Sequence, residues 1–137
     1  MRLEVTRKAH LALKAMWALM DTDDRVKGAD LAARTGTSSP FVGQVMTPLV
    51  KRGWVDSEPG RLGGYALSVD PESVSVLEVI EAVEGPTDTD WCVLAAAPCS
   101  PTTRCAVHDA WADARLILMR SLAARSVGSG PQQGAFL

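Results

Sequence analysis

The sequence predicts a mostly α fold: a winged helix-turn-helix with a small β-hairpin wing, then a cysteine-rich loop and a long C-terminal dimerisation helix. Three observations carry this. Two helical segments are separated by only Gly36-Thr37-Ser38. Two short alternating segments around a Gly-rich turn follow the second of them. All cysteines fall in one aperiodic stretch beside a histidine, in the order Cys92, Cys99, Cys105, His108.

Residues about 5–20 place Leu13, Met16, Trp17 and Met20 on one helical stripe, and Asp21–Asp24 interrupts it with a polar turn. Residues about 28–35 form a short helix closed by Gly36, a favoured residue just past a helix end. In the next helix Ser39 is the expected cap, and Pro40 suits the first turn, where no N–H is needed. Phe41, Val45 and Leu49 then line one face until Gly53. Helix, tight turn, helix is the signature of a DNA reader. Pro48 removes a backbone bond from the recognition helix, and a kink is expected there. The segments WVDSE and YALSV around Pro-Gly-Arg-Leu-Gly-Gly read as a hairpin, and its position makes it a wing.

Residues about 76–84 form the next helix. Ser75 and Glu78 are spaced for a capping box, Val76, Val79, Ile80 and Val83 make the buried stripe, and Gly85-Pro86 stops it. From about 106 to 125 helical periodicity returns. Val107, Trp111, Ala114, Leu118 and Leu122 run down one face, and Leu116, Met119 and Ala123 add a second. Two apolar faces need two surfaces to pack on; one is the chain's own domain and the other is a second subunit. The expected organisation is a DNA-binding domain over 1–69, a connecting helix, metal-binding loop and dimer helix over 70–125, and a disordered Gly/Ser/Gln-rich tail over 126–137.

Bulk properties narrow the setting. Hydrophobic residues make up 47% of the 137, enough for a core. No apolar run approaches the roughly 20 residues of a membrane span, and the first residues lack a signal-peptide stretch. A cytoplasmic protein with reduced thiols is expected, and three cysteines cannot all pair within one chain. Residues 1–69 carry ten Lys/Arg against seven Asp/Glu, while residues 70–137 carry four against nine. The basic half suits phosphate contact.

Thiolates and imidazole suit iron–sulfur clusters, zinc or copper(I). The gaps of six and five residues between cysteines are unlike the two-to-four spacing of structural zinc. They favour a loop around a larger cluster; zinc and a metal-free thiol sensor stay open. His108 follows Cys105 closely enough to be a fourth ligand, whereas His10, among apolar neighbours on the first helix, reads first as a core histidine. An enzyme such as a thiol oxidoreductase is disfavoured, because the chain has no C-x-x-C pair, phosphate loop or Ser-His-Asp set.

On the DNA side, Gln44 suits adenine and Ser38 and Ser39 suit phosphates. Arg2, Lys27 and Lys51 are expected phosphate contacts, Phe41 counts with the recognition helix, and Arg61 at the wing tip suits a narrow minor groove. A two-fold dimer implies a palindromic operator.

Four motifs together resemble the Rrf-two (Rrf2) family of bacterial transcription regulators: MRL with A-x-L-A-L at 9–13, S-P-F-V-G-Q-V at 39–45, G-x-x-G-G-Y at 60–65, and the cysteine loop. The resemblance covers about residues 1–125. It implies a regulator, in the first instance a repressor, whose operator affinity follows an iron–sulfur cluster. A 2Fe–2S cluster on Cys92, Cys99, Cys105 and His108 is the favoured form, since Trp111 also matches that branch. Another branch holds a 4Fe–4S cluster with a ligand from the partner's first helix, where this chain has His10. The sequence departs from the family in its six-residue first gap, in Pro59 where an arginine is usual, and in Pro48.

Overall fold

The computed structural model describes residues 4–87, 90–95, 97–100 and 102–131. Arg2, an expected phosphate contact, lies outside the described residues, as does the end of the expected tail.

The winged helix-turn-helix is present in the expected order. Helices α1 (Arg7–Met20), α2 (Gly28–Thr35) and α3 (Ser39–Lys51) precede strands β1 (Val55–Glu58) and β2 (Gly64–Leu67); helices α4 (Val76–Glu84) and α5 (His108–Ala123) follow. The core forms where the apolar stripes meet: Met16 and Leu19 of α1, Leu31 of α2, Val42, Val45, Met46 and Leu49 of α3, and Val79 of α4 are all buried. Helix α4 starts with the expected capping box, Ser75 accepting from the Glu78 N–H and Glu78 accepting from the Ser75 N–H. The wing is antiparallel, with Val55 opposite Leu67 and Glu58 opposite Gly64.

One expectation for α3 changes. Its cap position is Ser38, not Ser39, and no side chain caps it; Ser39 and Pro40 open the helix. Adjacent serines are equivalent in a sequence pattern, and the extended backbone of Ser38 (φ −91°, ψ 149°) decides between them. Pro48 lies inside the helix, which runs on to Lys51. Thr47 donates to the Gly43 carbonyl at 2.8 Å within the turn where Pro48 offers no N–H.

The expected tail also begins too early. Residues 127–129 form a short 3-10 turn, and Val127 is fully buried. The Val76 N–H donates to the Arg125 carbonyl, the Val127 N–H to the Val74 carbonyl, and Trp17 Nε1 to the Val127 carbonyl at 3.2 Å. One buried side chain thereby fastens the end of α5 to α1 and to the entry of α4.

Helix α5 itself has no buried residue. Leu116, Ile117 and Leu118 are all exposed, Ile117 by 65%. Its apolar content is therefore left largely uncovered by its own chain.

Candidate metal centre and nucleic-acid interface

The cysteine loop closes by local backbone pairing. Trp91 pairs antiparallel with Pro98, the Cys92 N–H donates to the Ala97 carbonyl at 3.1 Å, and the Cys99 N–H donates to the Asp90 carbonyl at 3.3 Å. A six-residue gap thus folds back on itself and brings its two ends together. The His108 N–H then donates to the Cys105 carbonyl at 3.1 Å, tying the third cysteine to the first turn of α5. The ion pair of Arg104 with Asp109 spans the same junction at 2.7 Å.

The three thiols consequently converge. Cys92 Sγ lies 3.6 Å and Cys99 Sγ 3.8 Å from Cys105 Sγ, all three fall within 4.8 Å of one another, and none is in a disulfide. His108 lines the same cleft without joining that tight group, together with Trp91, Trp111 and Arg115. Trp91 and Arg115 carried no signal in the sequence, because their place depends on how the loop folds over α5.

The thiols differ electrostatically. Backbone N–H groups of Leu94 and Ala95 point at Cys92 and favour its thiolate, outweighing desolvation, and the other two thiols add to the effect; its pKa falls from 9.0 to about 7. Cys99 goes the other way. The Cys105 backbone N–H favours its thiolate, but desolvation and the neighbouring thiols outweigh that and raise it. The loop thus stabilises one thiolate before any metal arrives.

His10 is exposed, not a core residue. Arg7, His10 and Lys14 recur at i, i+3 and i+7 on α1, one polar face, and line a cleft with Thr35, Gly36 and Thr37 beside the helix-turn-helix. In one chain this cleft is separate from the one that holds the thiols.

On the DNA-reading side, Ser38, Ser39, Gln44 and Lys51 are all exposed. Phe41 is half-buried against the core, with the Arg7 guanidinium 5.6 Å above its ring. The wing is braced from the segment that leads into α2, and Arg25 is the member that the sequence pattern did not single out. Arg25 bonds Asp56 and, at 2.8 Å, Glu58, two carboxylates that strand alternation puts on one face. It also donates to the Gly64 carbonyl at 3.3 Å. Val26 and Tyr65 exchange backbone bonds of 2.8 Å, and Lys27 Nζ donates to the Arg61 carbonyl at 2.7 Å. Lys27 therefore holds the wing tip. Arg61 is exposed there.

Residues 5–129 match the Rrf2 family, described as an iron-dependent transcriptional regulator. The chain belongs to the Rrf2 family. It is 34% identical over 113 residues to the HTH-type transcriptional regulator IscR of Vibrio campbellii, a match covering 81% of this chain and 67% of that one. The corresponding protein of Vibrio cholerae is matched over 65% of its length, so the chain spans about two thirds of such relatives. Among solved structures, IscR of T. potens aligns with a TM-score of 0.69 at 26% identity, over 92% of this chain and 84% of that one. CymR, the global cysteine regulator of B. subtilis, aligns at 0.74 with 22% identity over 93% and 95%, a likeness of fold. This Rrf2 protein is thus a winged-helix transcriptional regulator similar to IscR and not an enzyme. Among the described residues no helix is long and apolar enough to cross a membrane.

In reduced, metal-free protein, one thiol is expected to ionise with a midpoint near pH 7, and it is Cys92. A depressed folded-state pKa gives stability that is fully present above the ordinary value and is lost as pH falls through about 7. Ultraviolet thiolate absorbance against pH, in wild type and Cys92→Ser, checks this; an unchanged low-pH titration in the variant contradicts it.

Proposed function

We propose that this Rrf2 regulator is a homodimeric repressor whose affinity for a palindromic operator is set by an iron–sulfur cluster on Cys92, Cys99 and Cys105. The convergence of three unpaired thiols on a loop fastened to the start of α5 carries the reading. The donor chemistry fits: thiolates are the usual ligands of such clusters, and histidine replaces cysteine in some. His108, already in the cleft, is the proposed fourth ligand of a 2Fe–2S cluster. A 4Fe–4S cluster is the alternative, with His10 supplied by the other protomer, since His10 is exposed and lies in a different cleft of its own chain. Such a cluster supplies a centre that responds to oxidants, nitric oxide or iron supply.

The chain's own residues do the rest. Cys105 and His108 tie the loop to α5, and the exposed Leu116, Ile117 and Leu118 of α5 face the second protomer. Gln44 and Arg61 read bases and groove, while Ser38, Ser39, Lys27 and Lys51 meet phosphates. A cytoplasmic location accords with three unpaired thiols.

One observation favours a second reading, a single tetrahedral ion such as zinc. Metal–sulfur bonds of about 2.3 Å at tetrahedral angles separate sulfurs by about 3.8 Å, close to the 3.6 and 3.8 Å between the thiols here.

Anaerobically purified protein is expected to be coloured and to contain iron and acid-labile sulfide. Cys99→Ala should be colourless, and His108→Ala should hold a short-lived cluster while His10→Ala matches wild type. Stoichiometric zinc without sulfide selects the second reading; equal lifetimes in both histidine variants remove His108 as ligand. For the dimer, Ile117→Asp is expected to sediment as a folded monomer, because an exposed position tolerates the charge and an apolar interface does not. A dimer of unchanged stability in that variant contradicts the role given to α5.

A further inference from the structure

The wing tip holds a residue that the function above does not use. Leu62 is 91% exposed, more than any other large apolar side chain among the described residues. A lone exposed leucine is ordinary on a protein surface; how this one is held is not. The turn beneath it is tight. The Gly63 N–H donates to the Gly60 carbonyl at 3.1 Å, and a Cβ on Gly63 would sit 2.1 Å from the Glu58 carbonyl oxygen. Lys27 holds the adjoining Arg61 carbonyl, and the Val26–Tyr65 pair ties β2 to the segment leading into α2. Leu62 is thus projected from a braced apex, and the brace fixes it relative to the helix-turn-helix.

The charge around it is cationic. Arg61 and Lys27 adjoin the tip, and the two nearby wing carboxylates, Asp56 and Glu58, are both engaged by Arg25. Arg25 offsets one of those two negative charges, and with Lys27 and Arg61 the group is net positive; an apolar apex in that setting suits a polyanion with apolar walls inside a groove.

We infer that Leu62 enters the minor groove of duplex DNA beside Arg61 and makes the wing's apolar contact there. The inference rests on the DNA-binding reading above. The minor groove is about 6 Å wide, and apolar side chains of minor-groove binders insert against its base steps. Arg61 and Leu62 then contribute differently. An arginine on a phosphate or in the negative groove releases counterions, so its loss lowers the slope of log affinity against log salt by about 0.9 per phosphate contact. Burial of a leucine releases none, so its loss lowers affinity equally at every salt concentration.

The test uses a duplex that the wild-type protein itself selects from a randomised library, titrated across a salt series. Leu62→Asn is expected to bind about tenfold more weakly, the scale of one aliphatic side chain's burial, with an unchanged salt slope. Leu62→Met should restore binding, and Arg61→Ala should reduce the slope. Wild-type affinity in Leu62→Asn overturns the inference, as does a changed slope, which would mean that the wing had moved. If wild type selects no duplex, the DNA-binding reading fails first, before any variant is compared.

Discussion

Helix α5 spans sixteen residues and buries none of them. A helix of that length draws most of its stability from packing an apolar face, and within its own chain α5 has Leu122 half-buried against the core. The C-terminal end is fixed by Val127, buried between α1 and the entry to α4. At the N-terminal end the Cys105–His108 turn and the exposed Arg104–Asp109 pair tie the helix to the cysteine loop. Exposed ion pairs contribute little, typically below about 1 kcal/mol. The thiol site therefore adjoins the N-terminal anchor of α5.

The winged domain is built in the opposite way, with its reading elements over-determined. Helices α1, α2 and α3 share one core with α4. The wing is held to the segment before α2 by a backbone bridge, by Arg25 across two carboxylates, and by Lys27 on the tip. The winged domain is thus cross-braced at several points, whereas α5 buries no residue against its own chain. Arg25 also offsets one of the two negative charges that Asp56 and Glu58 place on the wing.

Much of this was legible in the sequence because burial in helices is a local, periodic pattern. Val76, Val79, Ile80 and Val83 are all buried, as their spacing predicts, and the Ser75–Glu78 capping box is present. The misreadings have physical causes. His10 was grouped with its apolar neighbours, but it shares the opposite face with Arg7 and Lys14. Val127 is a single apolar residue among Gly and Ser, with no period to announce that Trp17 and Val74 await it. The cysteines were readable as candidate ligands, yet their convergence depends on the Trp91–Pro98 pairing, which no spacing rule encodes. Arg25 was missed because its partners lie 31 and 33 residues away on a strand.

The central claim is a coupling between the thiol site and DNA reading. A ligand shifts a two-state equilibrium only by its differential affinity for the two states. The direct measurement is operator affinity of one anaerobic sample, before and after its metal is removed, at fixed salt. The account predicts a change of about 5–150-fold, the range of ordinary allosteric coupling, with the protein dimeric throughout. Equal affinity in the two states would contradict it, leaving a winged-helix regulator whose thiol site has no bearing on DNA.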